Sequence, residues 1–272
     1  MKFLNHTHDG LIIEEMPEAL SIIINQNIAS PLMLPEAKKL KICVSSNVEA
    51  HFFASNAHVD LILEPGAQVS WYGLSNKHIN LCAHIKAHAR LALAHINLAN
   101  PQAQCVMNIE LLAPEAEVSF VGLDLLSNNN LSSMKLHINH RAPSTRSTQA
   151  FRGIYADNSC GAFEGLVSVA AHAENSSAMQ LYKAIILSES ARAHVKPELE
   201  INNFNIAASH GASIGQLDPE ALFYLRSRGL SKEHAQKILV TSLAQDIVQE
   251  IHPLMREYLS KQVDISLETL HE

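Results

Sequence analysis

An all-β body wound as a β-helix, followed by a small α-helical domain, is the fold class this sequence predicts, and three observations predict it. Residues 63–74 (LEPGAQVSWYGL) and 112–123 (LAPEAEVSFVGL) share the ungapped pattern L-x-P-x-A-x-V-S-aromatic-x-G-L. Apolar and polar residues alternate through the middle of the chain, as they do along strand faces. The alternation gives way at Asp218 to a run of helix signals.

The repeat comes first, because it decides how the strands are arranged. Weaker echoes at 87–98 (AHARLALAHINL) and 189–201 (ESARAHVKPELEI) put the recurrence at roughly 25 residues or multiples of it, the length of one short-stranded coil in a solenoid. In 59–65 (VDLILEP), 91–99 (LALAHINLA), 134–140 (MKLHINH) and 196–203 (KPELEINN), apolar residues fall at every second position or in short runs between turn formers. The turns, such as 126–133 (LSNNNLSS) and 142–148 (APSTRST), are built from Asn, Ser and Pro. A β-sandwich would alternate in the same way; the repeated segment tips the choice to stacked coils. Stacking over 59–214 places Pro65 and Pro114 at equivalent corners two coils apart, with Ala67 and Ala116 in matching environments.

The helices are marked by their ends. Asp218 is an N-cap, Pro219 takes the first helical position, Glu220 sits in the first turn and Gly229 is the stop. Ser231 then caps a longer segment in which Ile238, Leu239, Leu243, Ile247 and Ile251 recur at helical spacing. A third helix follows Pro253. The division is a β-helix core over 1–217 and a helical domain over 218–272.

Composition narrows the function. The chain has 272 residues and a net charge of -7, which argues against a nucleic-acid partner, since phosphates demand clustered Lys and Arg. No apolar run approaches the roughly 20 residues that span a bilayer, and MKFLNHTHDG at the start lacks the apolar core of a secretory signal, so a cytoplasmic protein with no membrane partner is expected. Cys43, Cys82, Cys105 and Cys160 lie far apart, without C-x-x-C spacing, and read as reduced, buried thiols. Among sixteen histidines, His6 with His8, His84 with His88 and His137 with His140 form near pairs, none with a third ligand of obvious geometry. There is no G-x-x-x-x-G-K-[ST] phosphate loop.

Residues 175–201 and the run SHGASIGQLDPEALFYLRSRGL at 209–230 carry a resemblance. They resemble the carboxy-terminal half of the SufB/SufD family, on the SufD side, from about Phe163 onward. The resemblance implies a right-handed parallel β-helix followed by a helical domain. It also implies a function: a non-enzymatic accessory subunit of a cytosolic iron–sulfur cluster assembly machine, in complex with SufB and the ATPase SufC. No cofactor is implied as stably bound; iron or a nascent cluster would pass transiently at the SufB interface. Unpaired coil edges make self-association, as a homodimer, the expectation for the isolated chain. Relatives commonly carry an amino-terminal helical region for which this chain is too short. They often read Cys-Ser-His-Gly where this chain has Ala208-Ser209-His210-Gly211, which removes a thiolate from that position.

His210 matches the family histidine placed near the nascent cluster, so the resemblance makes it the candidate metal ligand. The residues alone also fit a satisfied interface or capping histidine, with Gly211 and Gly215 allowing a tight turn. A catalytic triad has little support, because SHG is not a nucleophile elbow. The resemblance assigns SufC binding to the helix after Asp218, through Leu222, Tyr224, Leu225, Arg226 and Arg228. Helical spacing separates these: Ala221, Leu222 and Leu225 share a face suited to internal packing, while Tyr224 and Arg228, four apart, share another. Two other classes stay open. One is a β-helix carbohydrate-active enzyme, which needs paired carboxylates and aromatic platforms that 5% aromatic residues poorly supply. The other is a SufB-like scaffold relying on Cys160 or a partner's thiolates.

Overall fold

The computed structural model describes residues 2–3, 10–35, 39–55, 57–75, 78–98 and 101–269. Two nine-stranded sheets face each other, and the chain passes from one to the other at every corner. With elements numbered in chain order, the first sheet holds β1 (Lys2–Phe3), β4 (Leu32–Met33), β6 (Glu49–Ala54), β8 (Gln68–Ser75), β10 (Arg90–Leu98), β12 (Glu117–Leu126), β14 (Arg146–Tyr155), β16 (Ser177–Ile186) and β18 (Ala207–Gly215). The second holds β2 (Leu11–Glu15), β3 (Ala19–Ile24), β5 (Lys39–Val44), β7 (Ala57–Leu63), β9 (His78–Ile85), β11 (Gln102–Leu111), β13 (Leu131–His140), β15 (Cys160–Val169) and β17 (Arg192–Ile201). Neighbours are parallel throughout except β2, which runs antiparallel to β3. This is the expected parallel β-helix.

The predicted corners coincide. The Asn47 amide donates to the Pro65 carbonyl at 3.1 Å, Gly66 to Ala87 at 2.9 Å and His88 to Pro114 at 3.1 Å, so Pro65 and Pro114 occupy one corner two coils apart. Ala67 and Ala116 are both fully buried beneath it. Asn47, Gly66, His88, Glu115, Ser144 and Asn175 turn this corner with positive φ, between 57° and 75°. Five of the six are not glycine, and each such residue costs about 1–2 kcal/mol unless its surroundings hold it. The corner-to-corner amide bonds do so here. Coil length is not constant: register partners are 19 residues apart at Phe52 and Trp71 and 31 apart at Gln149 and Gln180.

Inward positions fill the space between the sheets with Leu40, Ile42, Val59, Leu61, Trp71, Leu81, Ile109 and Leu136, all essentially inaccessible. Full burial of such a side chain contributes about 1.5–3 kcal/mol. Toward the last coils the core becomes aromatic, with Phe151 and Tyr182 packed 4.5 and 4.3 Å from Phe163 by ring centroids. Gly165 leaves room for this: a Cβ there would overlap the Tyr182 hydroxyl.

Three helices follow, α1 (Pro219–Ser227), α2 (Lys232–Gln249) and α3 (Pro253–Thr269). Asp218 and Ser231 cap as expected, accepting from the Glu220 and His234 amides at 2.9 and 3.2 Å, and Gly229 ends α1 at φ +92°. The helices are no free appendage. Val240, Ala244, Ile247, Val248, Leu259 and Val263 share one core with Phe53, Tyr72, Ile96 and Leu125 on the outer side of the first sheet. Of the expected apolar positions, Ile247 and Ile251 are buried and Leu239 and Leu243 half-buried; only Ile238 is exposed, and Ala235, Val240, Ala244 and Val248 join the buried face.

Candidate functional site

The two ends of the solenoid differ. At the first, β2 folds back antiparallel on β3 and carries Glu14 and Glu15 on its exposed edge. Charge and a reversed strand blunt an edge against further pairing. At the other, β17 and β18 pair on one side only, with β15 and β16, and expose parallel edges. Their apolar residues stay half covered: Val195, Leu199, Ile206 and Ala208 pack on the core from one side, while Ile201, Phe204 and Ile214 are exposed.

His210 lies in the middle of this end. Register pairs Ala208, His210, Ala212 and Ile214 with Ala178, Gln180, Tyr182 and Ala184, the buried inward row of β16. His210 thus occupies a core-facing position and is exposed because no further coil covers it. Its side chain has no hydrogen-bond or ion-pair partner among the described residues. Neither Gly211 nor Gly215 makes a turn; both are strand residues without positive φ, so the turn-forming role expected of them is corrected.

Behind His210 stands a polar ladder in an otherwise apolar core. Gln149, Gln180 and His210 are successive register partners. The Tyr182 hydroxyl donates to Gln149 Oε1, and Gln180 Nε2 donates to Gln149 Oε1 at 3.4 Å and to the Gly165 carbonyl at 3.3 Å. Gln180 Oε1 has no donor although the residue is 1% exposed. An orphaned buried acceptor costs about 1–3 kcal/mol. Sequence reading missed this pair. The signal was there in SAMQLYKAII, where alternation puts a Gln at an inward position between Ala and Tyr.

On α1, Tyr224 and Arg228 are exposed and engage each other. The Arg228 guanidinium carbon lies 5.2 Å from the Tyr224 ring centroid, and its Nη2 donates to the Tyr224 hydroxyl at 3.3 Å. Ala221, Leu222 and Leu225 are half-buried, Arg226 is exposed, and no residue of α1 is fully buried. Phe223, unremarked in the sequence, is 74% exposed beside Tyr224 at 57%, so α1 presents two aromatics and two arginines to solvent.

The other candidates disperse. Cys105 is buried in β11, and burial pushes its thiol well up. Cys43, Cys82 and Cys160 are only half-buried, so the expected burial holds for Cys105 alone; partial burial still raises the thiols of Cys43 and Cys82, and Cys82 Sγ lies 3.6 Å from His84 Nε2. Cys160 opens β15 in the other sheet from His210. His88 pairs with Glu115 at 3.2 Å, away from His84. His137 and His140 alternate across β13, and only His140 is buried, between the Thr145 and Ser147 hydroxyls at 2.7 and 2.8 Å. His6 and His8 fall outside the described residues. Among the described residues no three His, Cys, Asp or Glu side chains converge on a metal position. A groove of about 320 Å³ beside the helices is lined by Glu49, Arg90, Glu117, Arg146 and His252. Its carboxylates are engaged, Glu117 with Arg90 at 3.2 Å and Glu49 with His51 at 3.4 Å. No helix among the described residues is long and apolar enough to cross a membrane.

Comparison with known proteins matches residues 33–243 to the family described as "SUF system FeS cluster assembly, SufBD core domain". An iron–sulfur cluster assembly SufBD family protein of Synechocystis is 31% identical over 163 residues, 60% of this chain and 36% of that protein. The iron–sulfur cluster assembly protein SufD of Escherichia coli is 30% identical over 123 residues, 45% of this chain and 29% of that protein. SufD of Bacillus subtilis is 33% identical over 99 residues, 36% of this chain and 23% of that protein. The matched stretches thus span between about a quarter and a third of these relatives' lengths. The match reaches well ahead of Phe163 and covers both the coils and α1, and by it this chain belongs to the SufBD core-domain family of the SUF iron–sulfur cluster assembly system.

Proposed function

We propose that this chain is a cytoplasmic, non-enzymatic subunit of iron–sulfur cluster assembly, pairing with a SufB-like homologue through its open end and binding a SufC-like ATPase through α1. The observation that carries the pairing is the difference between the two ends. At one end an antiparallel charged strand closes the second sheet and the first sheet ends on the two-residue β1; the other end leaves two long parallel edges, of ten and nine residues, and a half-covered apolar core, which a homologous coil of the same cross-section would complete. In the absence of that partner a second copy of this chain supplies the same edges, which supports a homodimer in isolation.

A docked coil would enclose His210 at the centre of the interface. Imidazole ligates iron through a neutral nitrogen, and a ring without an internal partner has that nitrogen available. Iron here is cargo. Ala208 supplies no thiolate, so sulfur ligands come from the partner, and the cluster is not stably held by this chain alone. The chain has no phosphate loop, so the partner bound by α1 hydrolyses the ATP. Exposed Phe223, Tyr224, Arg226 and Arg228 suit such an interface, since aromatics and Arg anchor protein contacts.

The test combines co-purification with reconstitution. Tagged chain drawn from extract is expected to bring SufB-like and SufC-like proteins, and that complex to take up iron in a manner lost in His210→Ala. Anaerobic reconstitution of the isolated chain with iron and sulfide is expected to leave no stable cluster absorption. A stable cluster on the isolated chain would mark it as a scaffold instead.

A further inference from the structure

Gln180 holds an unused acceptor one strand from a histidine with no partner. Its carboxamide orientation is set by its donor end: Nε2 faces the Gly165 carbonyl and Gln149 Oε1, and the reverse placement would set oxygen against two oxygens. Gln149 is held in turn by the Tyr182 hydroxyl, whose ring packs over Gly165 and against Phe163. The donor end on the Gly165 carbonyl leaves Oε1 buried and undonated, and Gln149 Nε2 is likewise buried without an acceptor. His210 is the register partner of Gln180 on the terminal strand, on the same inward row. Neighbouring strands lie about 4.8 Å apart, so side chains in register on one face stand within reach of each other.

We infer that Gln180 is the positioning residue of His210: Oε1 accepts one imidazole N–H, selects the neutral tautomer and turns the other nitrogen toward the open end. A second hydrogen bond of this kind fixes the ring plane and raises the basicity of a ligating histidine. An amide suits the task because it accepts without adding charge. The inference rests on reading His210 as the iron-facing imidazole. Gln149 and Tyr182 form the rigid tier behind it.

Long-range proton–nitrogen NMR of the isolated, iron-free chain with labelled histidine rings tests this, His210→Ala assigning the signal. The wild type is expected to show one dominant His210 tautomer, and Gln180→Leu a mixture of two. Gln180→Met, close in volume to glutamine and without an acceptor oxygen, is expected to give the same mixture. Should Gln180→Leu not fold, the Met variant decides. Two tautomers in the wild type, or a His210 tautomer unchanged in a variant that folds, overturn the inference. Iron uptake by the assembled complex separates the two readings. If His210→Ala takes up iron normally while the NMR shifts appear, the metal role falls and the Gln180 contact stands. If His210→Ala loses iron while Gln180→Leu leaves tautomer and uptake unchanged, only the positioning role falls.

Discussion

Asp124 is an acid inside the solenoid, and replacing it with Asn should stabilise the protein in a pH-dependent way. It lies on the inward side of β12 at 1% exposure, where the Tyr155 hydroxyl donates to Oδ2 at 3.2 Å. Burial raises its pKa from 3.8 to about 6, against hydrogen bonding, chiefly from Ser132 and Tyr155, that pulls it down. An acid with a raised pKa binds its proton more tightly in the folded state. Stability is therefore lost as pH rises from about 4 to about 6, and the loss is complete above that. Two units at about 1.4 kcal/mol each put it on the order of 3 kcal/mol. Asp124→Asn removes the charge, keeps an acceptor for Tyr155, and can donate to Asn97 Oδ1, a buried acceptor without a partner. At roughly 2–4 °C per kcal/mol for a chain of this size, the variant should melt about 6–12 °C above wild type at pH 8. The gap should shrink as pH falls toward 4. The readout is the difference between two melting curves measured by circular dichroism at each pH. His95 and His140, which burial holds at about 4, act in the opposite direction, and the subtraction removes them. A variant that melts below wild type at pH 8, or a gap that does not grow with pH, would refute the reasoning.

Three further outcomes are expected. Tyr224→Ala with Arg228→Ala should weaken binding to a SufC-like ATPase by about thirtyfold, ~2 kcal/mol, in calorimetry, with little change in melting because both residues are exposed; a stable double variant that binds normally removes the contact. Gly165→Ala should cost about 1–3 kcal/mol, since the added methyl meets the Tyr182 hydroxyl and the Phe163 ring, and an unchanged denaturation midpoint would contradict that packing. The isolated chain should scatter light as a dimer at micromolar concentration, and Ile214→Asp at the open end should return it to monomer; a wild type that is monomeric throughout argues against pairing through that end.

What the sequence determined by itself is what neighbours along the chain decide. The L-x-P-x-A-x-V-S repeat located equivalent corners at Pro65 and Pro114 and buried alanines beneath them, because turn chemistry and side-chain alternation are local. The caps at Asp218 and Ser231 and the stop at Gly229 were legible for the same reason. The residues of 209–230 carried the family. Only the tertiary structure decided which inward residue meets which on the next coil, because register depends on loop lengths that grow along the solenoid from coils of 19 residues to coils of 31. That is why Gln180 was unseen behind His210 and Asp124 unseen beside Tyr155. Folding also widened the buried face of α2: Ile247 and Ile251 lie inward as spacing marked them, but the sheet admitted Ala235, Val240 and Ala244 and left Ile238 outside. The open end is tertiary as well: register sets His210 on the core-facing row of β18, and only the end of the sheet there makes it a surface position.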